Sequence, residues 1–280
     1  GLVGESGSGK TTTALNALGL VEPTEGEIFF NGQSVSTLVQ SGERLRLRQE
    51  MQIIFQDPYE SLNPRQTVFS TVAEPLEVHK LVTSQEEKIA QVKAALEDAG
   101  LKPPDTFFDR YPQELSGGQR QRLVIAGALV LNPELLVADE PVSMLDVSIR
   151  AEILNLLLQL RDERGITILY ITHDLATAAY FTDRIAVMYL GKILEVGPTQ
   201  TVLDDPKHPY TQSLLSVIPV PNPRRRRKRM ILKGETPNPI DLPSGCRFHP
   251  RCPLAVDQCS HTEPQLESVT IQHQVACLLV

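Results

Sequence analysis

Gly4-Glu5-Ser6-Gly7-Ser8-Gly9-Lys10-Thr11 fits the pattern G-x-x-x-x-G-K-[ST]. Gly1-Leu2-Val3 in front of it reads as the end of a buried strand, and Leu15 and Leu18 behind it suit a helix that starts at Lys10. Strand, tight turn and helix together are the context in which this pattern carries chemistry rather than marking a plain glycine turn. The glycines let the backbone turn sharply and aim its N–H groups inward, and those donors add to the positive end of the helix dipole, which favours phosphate. Lys10 is positioned to neutralise the β and γ oxygens of a nucleotide, Thr11 to coordinate Mg²⁺ through its hydroxyl, and Thr12 continues the same first turn. Because the chain opens on Gly and the loop follows at once, the sequence reads as a fragment whose first sheet segment lies upstream.

Three further stretches belong with that loop. Leu135-Leu136-Val137-Ala138 has the unbroken apolar character of a strand buried on both faces of a parallel sheet, and Asp139-Glu140 stand at its C-terminal end, where ligands of such sheets gather. Asp139 is the candidate Mg²⁺ holder, and Glu140 is the group able to polarise a water for attack on a γ-phosphate. Ile166 to Ile171 reads as a second buried strand and ends in Thr172-His173-Asp174, so His173 is placed to sense a γ-phosphate. Leu115-Ser116-Gly117-Gly118-Gln119 heads an apolar helix, with a helix N-terminus once more available for an anion.

With 280 residues, 41% of them apolar, the chain can bury one large core. No apolar run reaches the roughly 18 residues a membrane-spanning helix needs, and no secretory signal pattern opens the chain, so a soluble, cytosolic protein is expected. The net charge is −7, although Arg224 to Arg229 is an unbroken run of cations; setting that run aside leaves 21 basic against 34 acidic residues, or −13. An acidic body of this kind argues against general nucleic-acid binding.

The ordered set of Gly4 to Thr11, Gln56 after the strand Met51 to Phe55, Leu115 to Gln119, Leu135 to Glu140, Ser143 to Asp146 and His173 resembles the nucleotide-binding subunit of an ABC transporter, over essentially the whole chain. The resemblance implies an α/β P-loop NTPase of the ABC type with a helical subdomain and a small cysteine-rich C-terminal extension. It implies ATP and Mg²⁺ as ligands, Gln56 in a loop touching Mg²⁺ and the attacking water, and Asp146 in the loop that crosses a dimer. It further implies that Ser116, Gly117, Gly118 and Gln119 complete the site of the opposite subunit in a head-to-tail pair, with Ser116 and Gly118 donating to the γ-phosphate. Gly127 stands where the family commonly has Arg, and Met144 where it has a small residue. The aromatic that the family stacks on adenine has no counterpart in this sequence.

Between Gln56 and Ser116 the composition shifts to helix formers. Ser84 with Glu87 reads as a capping box, and Ile89, Val92, Leu96 and Ala99 recur at helical spacing, giving a helix from Ser84 to Ala99 stopped by Gly100. Ser148 to Leu160 reads as a second amphipathic helix. Asp57-Pro58-Tyr59 to Asn63-Pro64 resembles the segment that forms a groove for a membrane subunit, and on the residues alone it is equally an ordinary loop with two prolines. The expected domains are an ATPase at 1–200 containing a helical subdomain at 57–125, a C-terminal helix and linker at 201–223, and a basic linker with a cysteine-rich module at 224–280.

His208-Pro209-Tyr210 is similar to the C-terminal extension of ATPases from oligopeptide and dipeptide importers, a group that includes nickel and some oligosaccharide systems. The resemblance implies two permease subunits, an identical or paralogous second ATPase, an extracytoplasmic solute-binding protein acting indirectly, and a place on the cytoplasmic face of the membrane. An ATPase acting on DNA or ribosomes is the rival class, but the second cassette or long inserted coiled coil usual there is not found. Cys246, Cys252, Cys259 and Cys277 are spaced x5, x6 and x17 within the last 35 residues. Four thiolates suit tetrahedral Zn²⁺ or a [4Fe–4S] cluster, four buried free thiols are the third possibility, and the importer resemblance implies the iron–sulfur module.

Overall fold

A computed structural model describes residues 1–218, 230, 232, 234–235 and 237–280. Strands occur at Leu2–Val3 (β1), Phe29–Phe30 (β2), Gln33–Ser34 (β3), Met51–Ile54 (β4), Leu135–Asp139 (β5), Thr167–Thr172 (β6), Arg184–Tyr189 (β7), Lys192–Pro198 (β8), Glu267–Ser268 (β9) and Gln274–Val275 (β10). Helices occur at Lys10–Ala17 (α1), Val35–Gln40 (α2), Arg44–Glu50 (α3), Pro58–Ser61 (α4), Val68–Val78 (α5), Gln85–Asp98 (α6), Gly117–Leu129 (α7), Val147–Arg164 (α8), Leu175–Phe181 (α9), Thr199–Asp204 (α10) and Pro209–Ser216 (α11). The chain divides into two compact units, one made of Gly1–Thr11 with Tyr170–Val280, the other of Thr12–Leu169. The cationic run at 224–229 and the proline-rich stretch before it lie outside the described residues.

In the first unit β1 lies between β6 and β7 and is parallel to both, with Leu2 opposite Ile171 and Ala186, and Val3 opposite Thr172 and Val187. Strands β8, β10 and β9 then extend the sheet with antiparallel pairings. Two apolar clusters flank it. Val3, Leu175, Ala178, Ile185, Val202 and Leu215 bury the faces of α9, α10 and α11. The second cluster is aromatic and comes largely from distant sequence: Tyr189, Tyr210 and Phe248 pack with ring centroids 4.8–5.3 Å apart.

In the second unit β4 and β5 run parallel, Met51 opposite Leu135 through Ile54 opposite Ala138. β2 and β3 form a hairpin whose two turn residues, Asn31 and Gly32, both have positive φ, the conformation that Asn-Gly supplies in a tight hairpin. Helices α5, α6 and α7 pack on one another. Helix α6 starts where the spacing predicts: the Ser84 hydroxyl accepts the Glu87 N–H at 3.1 Å. The expected capping box is displaced by one residue, because the Glu87 carboxylate accepts from the N–H of Thr83 rather than that of Ser84. Val92, Leu96 and Ala99 are fully buried, and Gly100 ends the helix at φ 76°. Arg122 of α7 ties this end down by donating to the Ala99 carbonyl, while its other nitrogen pairs with Glu152 of α8.

Candidate functional site

The expected site residues divide between the units. In the first, β1 ends at Val3 and the chain turns through Gly4 to Gly9 into α1, so the strand, turn and helix read from the sequence are present. The reason for glycine at position 4 is proximity: a Cβ there would lie 2.1 Å from the carbonyl oxygen of Met188 on β7. Gly7 and Gly9 instead have φ of 77° and 99°, where side chains are strained. Lys10, nearly buried, donates through Nζ to the carbonyls of Gly4 and Glu5, each at 2.8 Å, and so holds its ammonium over the mouth of the loop. Ser6, Ser8 and Thr11 lie along the same turn and first helical turn. Thr172 is opposite Val3, so His173 stands beside Gly4 at the C-terminal ends of two adjacent parallel strands.

The second unit groups another set. Ile54 pairs with Ala138, so Gln56, just beyond β4, leaves the sheet edge beside Asp139 and Glu140, the end of β5 and the residue after it. The strand includes Asp139, one residue more than its apolar run. Asp139 is buried, and Glu140 adopts φ 47°, uncommon for a side chain of this size. That turn is held by Ser143, whose N–H and hydroxyl both donate to the Glu140 carbonyl at 3.1 and 3.0 Å. Thr12 continues α1 in this unit, and Asp146 is the N-cap residue of α8 without a capping side-chain bond. Met144 and Val147 beside it are 61% and 81% exposed.

At the head of α7 the Ser116 hydroxyl accepts the Gln119 N–H at 3.3 Å while the Gln119 side chain accepts the Ser116 N–H at 3.0 Å, a capping box. Ser116 keeps its O–H hydrogen for a further acceptor. A Cβ on Gly118 would lie 2.7 Å from Ile149 Cγ2, so this glycine lets α7 and α8 meet. Within the second unit Asp139 and Gln56 offer a carboxylate and an amide oxygen, and within the first Thr11 offers a hydroxyl; all are oxygen donors of the kind that suits Mg²⁺.

The tail is arranged differently from the expected metal module. Cys246, Cys252 and Cys259 are buried in the aromatic cluster of Tyr189, Tyr210 and Phe248, and all four cysteines are free thiols. Burial pushes the thiols of Cys246, Cys252 and Cys277 up, and neighbouring cysteines add to the rise. Among the described residues no three His, Cys, Asp or Glu side chains are placed to share a metal ion, so neither the [4Fe–4S] cluster nor Zn²⁺ finds support.

His208-Pro209-Tyr210 caps α11. The buried Glu195 carboxylate accepts from the N–H groups of Lys207 at 2.8 Å and His208 at 3.0 Å and from His273 Nε2 at 2.7 Å. His208 Nδ1 accepts the Tyr210 N–H, and burial lowers the His208 pKa to about 3, which keeps the ring neutral as a cap. The Tyr210 hydroxyl accepts the N–H of Glu5 at 2.9 Å, and Arg251 reaches the Glu5 carboxylate at 2.8 Å across 246 positions of sequence. Sequence reading found neither Glu195 nor Arg251, since nothing local distinguishes either.

A phosphate loop on a parallel strand, with a buried acidic strand end and a glycine-rich helix start, defines a P-loop nucleoside triphosphatase. The model described as ABC transporter matches residues 1–143, and that described as the C-terminal region of oligopeptide/dipeptide transporters matches residues 194–259. The chain belongs to the ABC transporter family and is an ATP hydrolase of mixed α/β fold. It is 50% identical, over 99% of its length and 86% of the other's, to a putative peptide import ATP-binding protein of Brucella ovis. It is 47% identical to the oligopeptide transport ATP-binding protein AppF of Bacillus subtilis over 100% of this chain and 84% of that one, and 45% identical to the oligopeptide transport ATP-binding protein OppF of Salmonella typhimurium over 100% of this chain and 83% of that one. Among solved structures, the cassette MJ0796 in its dimeric form aligns with TM-score 0.62 at 33% identity, covering 71% of this chain and 84% of that one. No helix among the described residues is long and apolar enough to cross a membrane.

Proposed function

We propose that this chain is the ATP-hydrolysing subunit that powers import of oligopeptides or dipeptides through partner permeases. The observation that carries the reading is the joint presence of the ABC match at 1–143 and the oligopeptide/dipeptide C-terminal match at 194–259, the latter containing the Glu195 and His208-Pro209-Tyr210 network. The relatives carry names of peptide and oligopeptide transport, which supports the substrate class.

In this reading the N–H groups of Gly4 to Thr11, with Lys10, bind the ATP phosphates, and Thr11, Asp139 and Gln56 hold Mg²⁺. Held there, Mg²⁺ would supply positive charge against the phosphates. Glu140 accepts a hydrogen bond from the attacking water and polarises it, Gln56 orients it, and His173 contacts the γ-phosphate. Ser116, Gly117, Gly118 and Gln119 complete the site of a second ATPase subunit arranged head to tail, and Asp146 with exposed Met144 and Val147 lies at that interface. The dimeric state of the MJ0796 cassette supports such pairing. Peripheral attachment to the membrane follows from the permeases, whose docking is assigned to an open groove of about 580 Å³ between α4, α5 and α7, lined by Phe55, Asn63, Glu74, Val78 and Gly127.

Glu140→Gln tests the mechanism: it should retain ATP binding and abolish turnover, and cycling at the parental rate would remove Glu140 from its role. Affinity purification from native membranes tests the assignment to import. Two permeases in the eluate support it, while ribosomes or DNA-repair proteins in their place overturn it.

A further inference from the structure

The C-terminal segment reaches back to the loop that carries the phosphate-binding pattern and grips it at two points. Glu5, the residue after the first loop glycine, is held by each of its polar groups. Its N–H donates to the Tyr210 hydroxyl at 2.9 Å, its carboxylate accepts from Arg251 at 2.8 Å, and its carbonyl accepts from Lys10 Nζ at 2.8 Å and the Ser8 N–H at 3.2 Å. At the other end, the Ser8 carbonyl accepts the N–H of Gly191 at 2.8 Å, in the turn between β7 and β8. Arg247 braces that turn by donating to the Leu190 carbonyl, and its guanidinium leaves a Cβ on Gly191 only 3.1 Å of room.

The anchors are themselves fixed. Tyr210 is fully buried, its ring packed on Tyr189 and Phe248, and Arg251 is 8% exposed, with its guanidinium over the Tyr189 ring and 3.4 Å from that hydroxyl. Phe248 and Arg251 both come from the cysteine-rich segment, so the position of that segment sets the position of Glu5. Charge adds a second effect. A carboxylate in a loop that must receive a polyanion opposes binding, and a guanidinium bonded to it cancels that opposition locally.

We infer that the cysteine-rich tail is part of the phosphate-binding apparatus, with Arg251 and Tyr210 as positioning residues that hold the phosphate loop at Glu5 and neutralise its carboxylate. The inference rests on the reading that Gly4 to Thr11 binds ATP. Neither residue touches the nucleotide in this scheme; both act through Glu5.

The test is ATP affinity and steady-state hydrolysis of the full chain with Mg²⁺ for Arg251→Met, Arg251→Lys, Tyr210→Phe, Glu5→Gln, the double variant Glu5→Gln/Arg251→Met, and Lys10→Ala. Arg251→Met should raise KM and Kd for ATP about tenfold, the scale of one charge-assisted hydrogen bond, with kcat changed less than about twofold. Arg251→Lys should recover most of the affinity. The decisive variant is the double one: removing the carboxylate should restore affinity lost with the guanidinium, whereas a tail that only stabilises the fold would give no such rescue. Tyr210→Phe, which keeps the ring and its packing, should raise KM severalfold. Should Arg251→Met fail to fold, Arg251→Lys against Tyr210→Phe and Glu5→Gln carries the same comparison. Parental affinity in Arg251→Met or in Tyr210→Phe overturns the inference, as does a double variant no better than Arg251→Met. Lys10→Ala separates the two levels: if it too binds ATP at parental affinity, the reading of the loop itself is at fault, and if it alone loses ATP, only the role of the tail is.

Discussion

Gly4→Ala asks whether the first loop glycine is required by backbone freedom or by proximity. The added Cβ would lie 2.1 Å from the Met188 carbonyl oxygen, 3.2 Å from its carbon and 2.9 Å from Ser8 Oγ. Ser8 Oγ can rotate away, but the carbonyl belongs to β7, the strand paired with β1. An ordinary C···O approach is about 3.3 Å, so β1 and β7 must separate locally by on the order of 1 Å. Forcing one methyl into packed structure costs about 1–3 kcal/mol, and displacing main chain rather than a side chain places this case at about 3 kcal/mol or above. For a chain of this size that is a fall of roughly 6–12 °C in Tm. The matched control is Gly7→Ala, where φ is 77° but nothing lies within 4 Å of the new Cβ, so the cost is the left-handed conformation alone, about 1–2 kcal/mol. Thermal unfolding followed by circular dichroism, together with ATP titration, reads both. Gly4→Ala melting within about 2 °C of the parent, or above Gly7→Ala, would refute the argument from the Met188 carbonyl.

Two further outcomes follow from the tail. The buried, neutral His208 binds its proton only near pH 3 when folded, while the unfolded chain takes one up at about 6.5, so its stabilising contribution is complete above pH 6.5 and declines as pH falls toward 3. The loss by pH 5 is about 2 kcal/mol, and His208→Asn, which keeps a cap acceptor, should flatten the slope of unfolding free energy against pH by one proton in that window; an unchanged slope in denaturant titrations would count against it. Glu195→Ala strands the buried His208 N–H and His273 and the half-buried Lys207 N–H, and should cost about 3–5 kcal/mol in chemical denaturation. A loss under 1 kcal/mol would mean the network does not hold α11.

The elements legible in the sequence were those whose cause is local. Strand β1 and helix α1 could be placed because the glycine pattern demands a strand before it and a helix after it, and β5 because four consecutive apolar residues precede Asp139. The start of α6 followed from Ser84, whose bond to Glu87 spans only three positions. The Asn31-Gly32 hairpin was equally local and went unread, because two-residue strands carry no periodicity to draw attention to the turn. What the sequence hid was approach between distant segments. Gly4 was read as part of a tight turn and Gly118 as a phosphate donor, yet a Cβ at either is blocked by an atom contributed from elsewhere, from Met188 in one case and Ile149 in the other. The cysteines show the same blindness from the opposite side: their clustering in sequence suggested ligands, and nothing in it indicated that three of them would be buried beside Tyr210 and Phe248. His208-Pro209-Tyr210 carried the importer resemblance, which the match at 194–259 bears out, but its structural part was not legible, since that depends on Glu195, His273 and Glu5, and only the fold brings those three to it. A motif in the tail therefore owes its form to a carboxylate on β8 at one end and to the phosphate loop at the other, which is why truncating the tail should be felt at the loop rather than only at the C-terminus.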